Sequence, residues 1–478
     1  MELITKVSLD CPIPLVYGVF DNEEININDA LNGYVNKLKN EKLINLSLGA
    51  VNKIFPTNLP NKAIFLIGLG KKEEYNYQNL IKATSKITNK LYDEVIVVLN
   101  SFVGNLSKDE VLKKLLLTTF SYNYHYDECK SKKSNQKFTL GIYDENCNHR
   151  IIDEYVNLAI AINNTRDLVN KPYNYLNVND LVSYCEELVN NLNNEAINLK
   201  VLNKDEIEKL GMNAFLGVNK GSALDAKLIH LTYQGNPNDE YFISLIGKGI
   251  MYDTGGYSIK EKMNNMKNDM GGAATALGIF EACVNNKLKV NIQVIVCATD
   301  NRISADALLP DDVVTAMNKK TIEIVSTDAE GRLTLADALT YAQRNKSHII
   351  IDIATLTGAV CVALGEYTTG IFGNDKEMIK KICEYGEQEN EHIWELPITD
   401  YIREKVRSSK VADLTNSTGR YMGASGAAAF LEEFIEEGSK WIHLDIAGTC
   451  FLTSPSYNEE YGATGVLVKT LYQYLKNY

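Results

Sequence analysis

Along most of this chain, short continuous apolar runs alternate with stretches in which apolar residues recur at helical spacing. Up to residue 150 the runs 63–67 (Ala-Ile-Phe-Leu-Ile) and 94–99 (Glu-Val-Ile-Val-Val-Leu) read as strands between lysine-rich helical segments, which predicts a small α/β domain over 1–150. From 151 the positions Ile151, Ile152, Tyr155, Val156, Leu158, Ile160 and Ile162 keep helical spacing until Pro172, so 151–180 is a linker helix and its connection. Over 181–478 the alternation resumes, with strands expected at 241–246, 290–298, 321–325 and 348–353 and helices at 271–284 and 333–343. That order predicts an α/β fold: a sheet with helices on both faces, whose ligands gather at the carboxyl ends of the strands.

Composition narrows the classes. A chain of 478 residues with a formal net charge of -12 lacks the basic balance of a protein that neutralises a nucleic-acid backbone, which argues against a nucleic-acid partner. No apolar run is long enough to span a bilayer, and the start, Met-Glu-Leu-Ile-Thr-Lys, has no signal-peptide core, so neither a membrane nor secretion is expected. Nine scattered cysteines without a C-x-x-C pair fit reduced thiols in a cytoplasm. The Gly68-Leu-Gly70 turn lacks the third glycine of a dinucleotide loop.

Chemistry concentrates in three segments. The stretch 326–333, Ser-Thr-Asp-Ala-Glu-Gly-Arg-Leu, places Asp328, Glu330 and Arg332 between an apolar run and a helical pattern. Taken alone it reads equally well as a capped helix start with a surface arginine. However, 247–260 also follows an apolar run and carries Lys248, Asp253 and Lys260 among four glycines, and 266–272 adds Asp269 just before an alanine-rich helix. Four carboxylates converging on one crevice need compensating cations, and a dinuclear divalent site supplies them with oxygen ligands. The donor set fits Zn, Mn, Mg or Co. Six dispersed histidines with no H-E-x-x-H pair exclude a histidine-based zinc protease site.

These segments, with 165–170 (Thr-Arg-Asp-Leu-Val-Asn), 354–358 (Ala-Thr-Leu-Thr-Gly) and 444–448 (Leu-Asp-Ile-Ala-Gly), resemble the leucyl aminopeptidase family of dinuclear-metal exopeptidases from about residue 160 to the end. The resemblance implies a larger C-terminal α/β/α catalytic domain with a mixed central sheet. It also implies two divalent metals per subunit, bridged by Asp253 and Glu330, with Lys248 and Asp269 completing one site and Asp328 the other. Lys260 is similar to the family's catalytic lysine, and Arg332 to the arginine that holds a bicarbonate ion, cradled by backbone groups of Ala329, Gly331 and Leu356. Met266, Thr355, Leu356, Gly358, Ala447 and Cys450 would bind substrate. The implied activity is release of N-terminal amino acids from peptides with a free amino terminus by attack of a metal-bridging hydroxide, in a cytoplasmic homohexamer.

Within the family, the segment 300–312, Asp253-Thr-Gly-Gly-Tyr-Ser258 and Gln388-Glu-Asn-Glu391 bring the chain nearest the bacterial peptidase B branch, which extends the expected specificity from apolar to acidic first residues. Two other classes compete: an architectural DNA-binding family member, disfavoured by the acidic balance, and a two-metal phosphoesterase, disfavoured by the lysine ligand and the lack of histidine ligands.

Overall fold

The computed structural model describes residues 1–27, 29–57, 59–88, 91–133, 137–146, 148–454 and 461–478. They form two compact units, Met1–Ile160 and Ala161–Tyr478. The division falls within one continuous helix, His149–Asn170. No helix among the described residues is long and apolar enough to cross a membrane, and the eight described cysteines are free thiols.

The first unit is built on a six-stranded sheet in the order Glu2–Ile4, Thr139–Tyr143, Glu94–Val98, Leu15–Val19, Ile64–Gly68, Val51–Ile54. All neighbours are parallel except the last pair. Leu15–Val19 and Ile64–Gly68 are buried along their whole length, as continuous apolar runs in a parallel sheet must be.

The second unit carries an eight-stranded mixed sheet. Its order is His392–Glu395, Thr368–Gly373, Lys440–Asp445, Ser347–Ala354, Phe242–Asp253, Asn291–Asn301, Lys227–Gln234, Ile197–Leu202. The four central strands, from Lys440–Asp445 to Asn291–Asn301, run parallel, and antiparallel pairs flank them on both sides. The helix Gly271–Asn285 is buried from Gly271 to Val284, which is why its residues are mostly apolar on every face rather than on one, with the buried Glu281 met by Asn164. Helix Gly331–Arg344 is equally buried from Gly331 to Ala342. Its Asp337 accepts backbone N–H bonds from Phe215 (2.9 Å) and Met317 (2.7 Å), tying the short helix Asn213–Asn219 and the 317 turn to the core.

One sequence expectation is corrected. The run 321–325 does not join the central sheet; only Thr321–Glu323 is extended, in a separate three-stranded sheet with Val313–Thr315 and Leu414–Thr415. Asn416 Oδ1 draws the N–H groups of Val325 (2.8 Å) and Ser326 (3.2 Å) out of strand pairing, so the chain turns early. The segment 326–330 therefore approaches the central strand ends from the side.

Candidate metal centre

The site forms where three chain segments meet at the carboxyl end of Phe242–Asp253. Lys248 and Asp253 lie on that strand, five residues apart by number. After Asp253 the chain reverses through Gly255, whose φ of +83° is left-handed and whose absent Cβ would lie 2.5 Å from the Ser258 carbonyl oxygen. Lys260 N–H then donates to the Thr254 carbonyl at 3.0 Å, closing the turn. Thr327 staples this turn to the 326–330 segment: its Oγ1 donates to Gly255 O (2.6 Å) and accepts from Ser258 N (2.7 Å), while its own N–H donates to Ser258 Oγ (3.1 Å).

The staple places Lys260 Nζ 2.7 Å from Asp253 Oδ2 and in contact with Asp328 Oδ1. Glu330 directly precedes helix Gly331–Arg344, and its Oε1 lies 3.0 Å from Lys248 Nζ. Gly331 is required here: a Cβ would sit 2.3 Å from Lys248 Cε. Asp269 closes the turn Met266–Asn268, its Oδ1 accepting from Lys248 Nζ (2.7 Å) and Thr355 Oγ1 (2.8 Å). Lys248 Nζ also donates to the Thr355 carbonyl at 2.9 Å.

Two ammonium groups thus face four carboxylates. Carboxylate oxygens of Asp253, Asp328 and Glu330 lie within 4.8 Å of one another. Asp269 Oδ2 and Glu330 Oε2 are buried without a hydrogen-bond partner, which is costly unless something else meets them. Burial pushes Asp269 well above the ordinary aspartate range, against the pull of Lys248, and burial with Glu330 and Asp253 raises Asp328. Glu330 goes the other way, because Lys248 and Lys260 outweigh its burial. Burial works against the ammonium of Lys248, but Asp269, Glu330 and Asp253 outweigh it and hold its pKa above the ordinary lysine value; Lys260 is held likewise by Asp253, Glu330 and Asp328. Both lysines are therefore charged as long as they are the cations of the cluster. Divalent cations would fit the donor set: they would meet the unpartnered oxygens and balance the excess of acids, and Lys248 could ligate only with its proton displaced.

Arg332 is buried rather than a surface residue, its Nη1 donating to Asn416 O at 2.8 Å and its Nε left without a partner. Burial lowers its pKa to about 10, partly offset by Glu330, Asp445 and Asp328, so it stays charged near neutrality. The unpartnered Nε fits a small anion. Of the backbone groups expected around that anion, the Leu356 N–H is committed to Asp445 Oδ1 (3.1 Å) and the Ala329 N–H to Ser326 O (3.3 Å).

Of the expected substrate residues, Thr355, Cys450 and Met266 adjoin Asp269. Thr355 and Cys450 meet at Gly271, where a Cβ would lie 3.4 Å from Thr355 Cγ2 and 2.2 Å from Cys450 Sγ. Leu356 and Ala447 both donate their N–H to Asp445 Oδ1 and pack on the main core. Gly358 opens helix Gly358–Leu364 onto free space, and Met266 begins the turn that ends at Asp269.

Three further residues escaped the sequence reading. Asn301 donates through Nδ2 to Asp253 Oδ1 (2.8 Å) and Thr327 O (3.0 Å), locking a carboxylate to the opposite loop. Asn416 donates to Ser326 O (2.7 Å) as well as accepting from that loop. Asp445 collects four hydrogen bonds at the end of its strand. Asn301 and Asp445 stand inside stretches already singled out, but hydrogen-bonding asparagines and single aspartates are too common in sequence to carry a role.

Known proteins resemble this chain over most of its length. The family model described as the cytosol aminopeptidase family, catalytic domain, matches residues 163–472, and the one for that family's N-terminal domain matches 18–133. A probable cytosol aminopeptidase of Bacillus subtilis (strain 168) is 37% identical over 476 residues, covering 96% of this chain and 94% of its own. Its counterpart from Bacillus licheniformis is 37% identical over 483 residues, covering 97% of each. Among solved structures, the bottromycin maturation enzyme BotP superposes with a TM-score of 0.87 at 26% identity, covering 98% of this chain and 99% of its own, and one of its structures is a complex with Mn.

Proposed function

This chain belongs to the cytosol aminopeptidase family, and from that premise we propose that it is a dinuclear-metal aminopeptidase releasing N-terminal amino acids from short peptides. The observation that carries this reading is the imbalance at the centre: four carboxylates against two ammonium groups, with buried oxygens of Asp269 and Glu330 unpartnered. A phosphoesterase reading has less support, because the family this chain matches is one of aminopeptidases.

In this reading Asp253, Glu330, Lys248, Asp269 and Asp328 would hold the two metals, with Asp253 and Glu330 shared between them. Divalent ions there supply Lewis-acid polarisation of the scissile carbonyl and lower the pKa of water. Lys248 contributes its lone pair once neutral. Lys260, charged and partly exposed, would donate to the carbonyl oxygen as negative charge develops on it. Arg332 would hold bicarbonate through its Nε side, as the base that takes the proton from the attacking water. Thr355, Leu356, Gly358, Ala447, Cys450 and Met266 would receive the first side chain. Their largely apolar character supports apolar first residues, and the likeness to the peptidase B branch adds acidic ones. Assembly as a homohexamer and residence in the cytoplasm follow from the family resemblance.

The test is release of amino acids from X-Gly-Gly peptides, with X as Leu, Met, Asp or Glu, in Mn or Zn, for wild type, Lys260→Ala and Glu330→Ala. Activity lost in both variants supports the reading, and the Leu to Asp ratio separates the two branches. No cleavage by the wild type in any metal would sink it.

A further inference from the structure

The end of strand Lys440–Asp445 pairs in parallel with the end of Ser347–Ala354, with Ala354 opposite Asp445. Beyond Ala354 the chain leaves the sheet through Thr355, Leu356 and Thr357 and enters helix Gly358–Leu364. A segment leaving a sheet loses its ladder partners, and its N–H groups need new acceptors. Asp445 supplies them. Its Oδ1 accepts from Leu356 N (3.1 Å), Thr357 N (3.4 Å) and Ala447 N (3.2 Å), and its Oδ2 from Thr357 Oγ1 (2.7 Å). Thr357 in turn caps the helix, its Oγ1 accepting from Val360 N at 3.1 Å. The residue bracketed by these anchors is Thr355, whose carbonyl accepts from Lys248 Nζ and whose hydroxyl donates to Asp269 Oδ1.

We propose that Asp445 is a positioning residue for the metal centre: by holding Leu356 and Thr357 it fixes Thr355, which aims the Lys248 nitrogen and the Asp269 carboxylate. The proposal rests on the reading of Lys248 and Asp269 as metal ligands. The chemistry explains why a carboxylate is used. One oxygen must accept three N–H groups while the other accepts a hydroxyl, and only a carboxylate presents two acceptor oxygens in that spacing. Thr355 can serve Lys248 in either protonation state, because its carbonyl needs only one N–H from that nitrogen. Groups behind the metal ligands that orient them typically set affinity by 10–100-fold.

The experiment is Mn titration by calorimetry of chelator-stripped full-length protein, for wild type, Asp445→Ala and Asp445→Asn, with thermal melts of each metal-free form. Asp445→Ala is expected to bind Mn roughly 10–100-fold more weakly while still folded. Asp445→Asn keeps one acceptor oxygen for the three N–H groups but loses the acceptor for the Thr357 hydroxyl, and is expected to lose less affinity than Asp445→Ala. A merely structural role lowers the metal-free melting temperature of Asp445→Ala but leaves Mn affinity unchanged, and that result overturns the proposal. If Asp445→Ala does not fold, Thr357→Val, which removes one of the four bonds, is read the same way with a smaller expected loss. Wild-type protein that binds no Mn at all defeats the metal-centre reading itself, a different outcome from wild-type binding matched by the variants.

Discussion

Helix Gly331–Arg344 displays two kinds of buried carboxylate within eight residues of each other: Glu330 at its start and Asp337 in its middle. Asp337 faces backbone donors, each of its oxygens accepting an N–H, and it joins three segments of the core. Glu330 faces other acids, shares its lysine with Asp269, and keeps an oxygen with no partner. Both are dry, so burial penalises both charges, but Asp337 has both oxygens met by backbone amides while Glu330 has one oxygen left unmet. A carboxylate satisfied by backbone amides is architecture. One that shares its lysines with three other acids and keeps a bare oxygen leaves room for a further cation.

Each prediction presses on that contrast. The largest effect is expected at the unsatisfied cluster: Lys260→Ala should lower kcat by roughly 10²–10³-fold, the usual cost of removing a group that stabilises the developing oxyanion, and should also lower the melting temperature of the metal-free protein, because Asp253 and Asp328 lose their ammonium partner. Steady-state peptide hydrolysis with parallel melts checks it. The satisfied carboxylate should act on stability rather than on the centre. Asp337→Ala strands the Phe215 and Met317 amides and should cost about 3 kcal/mol in urea unfolding, while the folded fraction keeps its metal affinity.

Next in size is the stabilisation by metal. Mn at about a hundredfold above its dissociation constant should stabilise the wild type by about 2.7 kcal/mol, and chelation should remove it. Glu330→Gln should show a much smaller metal-dependent shift, and an equal shift in that variant would erase the contrast with Asp337. The smallest effect concerns a buried group away from both. His230, enclosed between Tyr341 and Gln293, has its pKa lowered by burial, with the Gln293 hydrogen bond opposing. Because the folded state resists a proton that the unfolded chain accepts, stability is full above the ordinary histidine pKa and falls as pH drops through it. His230→Gln should flatten that acid-side slope in denaturant midpoints measured between pH 7 and pH 5.

Much of the centre was legible in the sequence, because its residues cluster into a few short stretches. Lys248, Asp253 and Lys260 share one segment, Asp328, Glu330 and Arg332 another, and glycines at 255 and 331 mark where the backbone must bend or let a side chain pass. The structure brings the four acids and two lysines into direct contact. The strand expected at 321–325 was misplaced for an identifiable reason. Its apolar alternation is real, but the competing acceptor is Asn416, about ninety residues away, and no local pattern announces it.

The sequence by itself determined the alternation of strands and helices, the α/β class, and which residue types were available for chemistry, since these follow from periodicity and from local turn requirements. Only the tertiary structure decided which oxygens are satisfied. Asp337, Asp445 and Glu330 are alike in sequence as single acids; their different fates depend on whether a distant segment turns an N–H or another carboxylate toward them. Hydrogen-bond satisfaction is a property of three-dimensional neighbours, and the cost of burying a charge is settled by those neighbours rather than by the residue that carries it.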